Sequence, residues 1–116
     1  MIIKTLNKVP AEILCGDGLR GVSRQVPIGK AQGTPNFSFR VFTLAPKGHS
    51  PFHSHETEHV NYIISGRGAL KDGKGVLHNF SAGDFCLVNP GEKHQYRNLS
   101  ENKELIFICA VMKKYE

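Results

Sequence analysis

The sequence predicts an all-β fold, a sandwich or barrel of short strands in a single domain. Three observations lead there. Twelve glycines and six prolines are spread through the 116 residues. They punctuate the chain at intervals of about 8–12 residues, the spacing of short strands joined by turns. Between them lie runs rich in Val, Ile, Phe and Tyr, which suit a pleated, half-buried surface. No helix separates these runs, so the strands must pack on one another as a sandwich or barrel.

Taken in order, the expected strands are Gly21–Ile28, Asn36–Ala45, His59–Ile64, Gly68–Leu70, Gly75–Asn79, Asp84–Asn89, His94–Asn98 and Leu105–Met112. Only Val9–Leu14 reads as mildly helical. Turns are expected at Ala45-Pro-Lys-Gly48, Ser65-Gly-Arg-Gly68, Lys71-Asp-Gly-Lys-Gly75, Ser81-Ala-Gly83 and Asn89-Pro-Gly91. The Asp-Gly pair in the third is a hairpin signal, because glycine accepts the positive φ that tight hairpins need. The expected layout is an N-terminal arm over about residues 1–35, then a barrel over about 36–112.

Composition narrows the function classes. Hydrophobic content of 40% and charge content of 22% are those of a globular domain with a core. No apolar run approaches the ~18 residues of a membrane span, and the N-terminus lacks a secretory pattern, so a cytoplasmic location is expected. The three cysteines, Cys15, Cys86 and Cys109, are widely spaced and form no Cys-x-x-Cys, which excludes a disulfide framework. The net charge is +5. Its lysines and arginines are scattered, with no basic helix and no aromatic-basic RNA motif, so no nucleic acid is expected as a partner.

The chemistry sits in the histidines. His53, His55 and His59 form His-x-His-x-x-x-His, and His94 follows the turn Asn89-Pro-Gly-Glu-Lys93. Alternation along an extended chain points His53 and His55 the same way. Antiparallel hairpins can bring His59 and His94 to that face. Neutral imidazoles suit Mn, Fe, Co, Ni, Cu or Zn and do not suit Mg or Ca, which prefer oxygen. In an octahedron, four such ligands leave two positions open; a closed tetrahedral site leaves none. Four neutral ligands also leave the +2 charge uncompensated, which favours anionic ligands. His49 and His78 fall outside the pattern and are expected at the surface, as are Glu56 and Glu58.

These residues resemble the cupin superfamily. The first cupin motif has His-x-His, three or four residues, Glu, six residues and Gly; His53, His55 and Gly66 match, with His59 in the glutamate place. The second has Gly, five residues, Pro-x-Gly-x-x-His-x-x-x-Asn; Gly83, Gly91, His94 and Asn98 match, with the proline displaced to Pro90. Gly48 stands one residue closer to His53 than usual. His59 makes the chain similar to small single-domain bacterial and archaeal cupins that hold manganese with four histidines. The resemblance implies a jelly-roll (double-stranded β-helix) barrel, a homodimer, and metal ligation by His53, His55, His59 and His94. It also implies that Arg40, Phe107 and Cys109 line the pocket. Some members of that group cleave electron-rich alkenes oxidatively when given a peroxide.

Two functions follow from this reading. One is a manganese- or iron-dependent oxidoreductase of dioxygenase type, acting on a small molecule at an open four-histidine centre. There Arg40, in the apolar run Phe39-Arg-Val-Phe42, would orient an anionic substrate, because a buried guanidinium needs an acceptor. Phe107 would shape the pocket. The other is a non-catalytic metal-dependent module that binds or senses a small ligand.

Overall fold

The computed structural model describes all residues, Met1–Glu116. Nine strands form: β1 Glu12–Ile13, β2 Arg20–Ile28, β3 Phe37–His49, β4 His59–Ser65, β5 Arg67–Lys71, β6 Leu77–Ser81, β7 Phe85–Val88, β8 Gln95–Asn98 and β9 Leu105–Met112. They pair antiparallel in the order β6-β5-β8-β3-β9-β4-β7, and β2 adds to β3 with β1 beside it. The long path curls on itself and leaves β6 and β7 as its two ends. The domain is thus a single antiparallel jelly-roll barrel.

Alternation along each strand sends one set of side chains inward. Val22, Leu44, Ile63, Phe80, Val88, Tyr96, Leu105 and Phe107 form the core. The chain passes from β4 to β5, which do not pair with each other, through Gly66, whose φ is +89°. A side chain there would also collide with the Glu104 carbonyl, so glycine is required on two counts.

Three sequence expectations are corrected. Val9–Leu14 is not helical: Leu6–Lys8 forms one 3₁₀ turn, and Glu12–Ile13 pairs with Arg24 and Ser23 of β2. Pro10 lacks an N–H, and a segment this short gains more from an available strand edge than from helix nucleation. The turn at Ala45–Gly48 does not end β3, which runs on to His49. Lys47 instead takes a left-handed φ of 62° within the strand, and its N–H binds the Ser100 carbonyl at 3.0 Å. His49 is half-buried rather than at the surface, held by Gln95 Nε2 at 3.3 Å. His78 is exposed as expected, 2.9 Å from Asp72.

The outer face of β3-β9-β4-β7 is apolar along two rows. Phe39, Ala110, Val60 and Leu87 lie side by side, as do Val41, Ile108, Tyr62 and Phe85. Phe39, Val60, Tyr62, Phe85 and Leu87 are all exposed.

Candidate functional site

The two histidine segments are joined by main chain before any side chain acts. His53 and His94 form an isolated antiparallel bridge, with N–H donation in both directions at 3.1 and 2.9 Å. The Gly91 N–H adds a bond to the His55 carbonyl at 2.9 Å. His59 opens β4 opposite Val88. The four rings converge, with the His53–His55, His53–His94, His55–His94, His55–His59 and His59–His94 centroids 5.1, 5.2, 4.9, 4.6 and 5.2 Å apart. His53, His55 and His94 bring their ligand atoms within 4.8 Å of one another. His59 stands beside this trio, stacked on His55, with Nδ1 3.7 Å from Cys109 Sγ.

The fit to a metal ion can be judged from the ring nitrogens. His55 Nδ1 lies 2.6 Å from the Thr57 carbonyl and His94 Nδ1 lies 2.8 Å from the Glu92 carbonyl. A carbonyl only accepts, so each Nδ1 carries the proton and each Nε2 presents a lone pair. Both Nε2 atoms are buried and have no hydrogen-bond partner. Two orphaned lone pairs facing a third imidazole are costly unless a cation meets them. The residues therefore fit a divalent transition metal, with His53, His55 and His94 as its first holders.

Burial disfavours the charged form of His53, His59 and His94. Desolvation lowers the pKa of His59 to about 3, with the charges of His55 and Arg40 acting the same way. Burial also lowers His53 and His94. An unfolded histidine titrates near 6.5, so below that pH the unfolded chain binds protons that the folded rings refuse. The metal-free domain should therefore hold full stability above about pH 6.5 and lose it steadily as pH falls toward 3. The His59 share of that loss is on the order of 4 kcal/mol. Urea titrations in chelator across pH 7 to 4 test this; a flat midpoint would contradict it.

Beside the rings lies a cavity of about 370 Å³. Its walls include Leu14, Leu19, Val22, Phe42, Leu44, Tyr96 and Phe107, with Arg24, Arg40 and Tyr115 at the polar side. No aspartate or glutamate lines it. Phe42, Phe107 and Tyr96 stack in sequence, with centroids 5.6 and 4.8 Å apart, and Tyr96 continues onto His59 at 5.7 Å. The Tyr96 hydroxyl donates to Asn61 Oδ1, and Asn61 Nδ2 donates to the Ile108 carbonyl at 3.3 Å, which fixes that wall. A larger groove of about 660 Å³ between β6 and β7 mixes Lys71, Lys93, Asp72, Asp84 and Glu92 and is open to solvent.

Of the residues singled out in the sequence, Arg40 and Phe107 line this cavity together with all four histidines. Cys109 sits one layer behind, fully buried, 3.0 Å from Arg40 Nη2 and in reach of His59. Glu56 and Glu58 are exposed, and Glu56 accepts a bond from the Tyr115 hydroxyl at 3.0 Å. Arg24 and Tyr115 were missed. Alternation from the inward Val22 could have found Arg24, whereas Tyr115 reaches the cavity only because the 3₁₀ turn Lys113–Tyr115 folds back over it.

Comparison with known proteins agrees with this architecture. A family model described as a cupin domain matches residues 40–111. No curated protein sequence matches. Among solved structures, a polyketide cyclase from Streptomyces resistomycificus superposes with a TM-score of 0.89 at 24% identity, covering 97% of this chain and 79% of its own. A predicted oxalate decarboxylase from Thermotoga maritima gives 0.81 at 24% identity, covering 97% and 99%. A cupin-2 domain protein from Rhodospirillum rubrum gives 0.78 at 25% identity, covering 90% and 69%.

Proposed function

The chain belongs to the cupin domain family, and from that premise we propose that it is a metal-dependent oxidoreductase of dioxygenase type acting on a small molecule. The observation that carries this reading is the pair of inward, unpartnered Nε2 atoms of His55 and His94, set against a cavity without a carboxylate. With the imidazoles taken up as ligands of the ion and no carboxylate in the lining, no side chain of the cavity is left as a general base, so base-driven isomerisation gains nothing from these residues. A bound manganese(II) or iron(II) ion would supply Lewis-acid and redox chemistry to a substrate and an oxidant held together.

His53, His55 and His94 would hold the ion, and His59, stacked on His55, is proposed as the fourth ligand. Manganese is favoured by the likeness to four-histidine cupins; iron, cobalt, nickel, copper and zinc also suit the donors. The protein's own contribution is placement. The Thr57 and Glu92 carbonyls fix two tautomers, the Phe42–Phe107–Tyr96 wall seats the substrate, and the apolar lining excludes water. For oxidative alkene cleavage, one alkene and one dioxygen give two carbonyl products, with one oxygen atom delivered to each. We also propose that the domain works as a homodimer through the apolar outer face of β3-β9-β4-β7.

The test is elemental analysis of protein purified without a chelating tag, then turnover of an electron-rich aryl alkene under dioxygen or a hydroperoxide. About one transition-metal ion per chain and metal-dependent formation of both carbonyl fragments is the expected result. Stoichiometric metal without turnover of any substrate would favour the binding module, and no metal at all would remove both readings.

A further inference from the structure

We propose that Arg40, with Arg24 beside it, is a carboxylate-recognition subsite, and that the ligand of this cavity is a flat, conjugated monocarboxylate. The inference rests on the cavity described above and names the class of molecule it takes.

Arg40 is half-buried and has no carboxylate within ion-pair distance. Its contacts are weak ones for a permanent cation. Nη2 donates to the Cys109 thiol at 3.0 Å, Nη1 reaches the Tyr115 carbonyl at 3.5 Å, and the guanidinium carbon lies 5.1 Å from the Phe42 ring centroid. Nε has no partner at all. Arg24 lines the same cavity. It pairs with the exposed Glu12 at 2.7 Å and donates to the Glu116 carbonyl at 3.1 Å, while its Nε is likewise unpartnered.

Two guanidiniums and neutral imidazoles thus face a space that holds no negative side chain. A desolvated cation in this position is stabilised by an anion, and the guanidinium fork matches a carboxylate with two parallel bonds. The Tyr115 carbonyl is a neutral acceptor that holds Arg40 meanwhile, and Arg24 is held by Glu12 and the Glu116 main-chain oxygen. A ligand carboxylate outcompetes the Tyr115 carbonyl, whose bond to Arg40 is already long. The rest of the ligand is set by the walls. Phe42, Phe107 and Tyr96 stack on one another, with interplanar angles of 30° and 22°, and so turn ring edges to the cavity. The face of a flat π-system meets such edges in the favourable edge-to-face manner, which a saturated ring cannot do. His59, at the end of the stack, then stands next to the ligand's conjugated carbons.

Calorimetric titration with cinnamate, cinnamamide and 3-cyclohexylpropanoate at pH 8 tests this, run on the protein before and after manganese(II) is added. Cinnamate should bind at least ~10-fold tighter than the amide, the worth of a charge-assisted pair. It should also bind more tightly than the cyclohexyl acid. Arg40→Gln should reduce cinnamate to the affinity of the amide. Arg24→Gln should give a smaller loss, and Arg40→Lys should restore part of it. Equal binding of acid and amide by the unaltered protein, no binding of either, or an acid preference that survives in folded Arg40→Gln would overturn the proposal. The titration without manganese reports on the arginines alone, so a failure of the metal reading does not decide this one.

Discussion

His94→Ala should leave a folded domain that no longer retains a transition metal. His94 is 3% exposed, and its Nε2 is one of the two orphaned lone pairs at the centre. Its bridge to His53 is main chain to main chain, so the backbone tie survives the loss of the ring. Losing an entire ligand should weaken metal binding by more than the ~10–100-fold typical of losing a supporting contact. Elemental analysis and competitive metal titration measure it, with circular dichroism as the check on folding. His59→Ala should also lower metal uptake, whereas His78→Ala on the exposed Asp72 pair should not. Unchanged uptake in both His94→Ala and His59→Ala would remove the metal centre from the function.

The second large effect concerns assembly. The outer rows Phe39-Ala110-Val60-Leu87 and Val41-Ile108-Tyr62-Phe85 form one apolar sheet face, open to solvent at Phe39, Val60, Tyr62, Phe85 and Leu87, with Val41 already buried. Exposed apolar patches of that extent mark interaction surfaces, and a second copy of the same face is self-complementary in a two-fold dimer. Light scattering at micromolar concentration should therefore give twice the 12.9 kDa chain mass. Tyr62 and Leu87 are 38% and 60% exposed, so replacing both with lysine should disturb the fold little. Two buried charges at the centre of such an interface should raise the dimer dissociation constant by about 100-fold or more. A monomeric unaltered protein, or a double variant that still dimerises, would show that this face serves something else.

The barrel was legible in the sequence because its two signals agree. Phe107, Cys109 and Val111 alternate along the sequence of β9, as one inward face requires, and all three are buried. The glycine and proline spacing marked most of the turns. The misreadings share one cause, which is that tertiary pairing overrode local preference. Lys47 keeps β3 going because its N–H finds Ser100 across the barrel, and Glu12–Ile13 becomes a strand because β2 offers an edge. Ser100 is far from Lys47 in sequence, and the β2 edge is set by its pairing with β3 rather than by residues 9–14. The metal trio was legible for a chemical reason, since imidazoles two apart on an extended chain share a face. The tautomers were not legible, because the groups that set them are main-chain carbonyls whose direction no residue type encodes.

Those carbonyls bear on how the site tolerates change. Supporting groups behind metal-binding imidazoles are often carboxylate side chains, and a single codon change removes them. Here the supports of His55 and His94 belong to the peptide bonds of Thr57 and Glu92. No substitution at either position deletes its oxygen; only a change in the path of the loop can. The orientation of these two rings is thus inherited through loop shape rather than residue identity. Position 57 can therefore vary while His55 keeps its aim, whereas the Glu92 carboxylate accepts the Asn89 N–H at 2.7 Å and so helps set the loop path that aims His94.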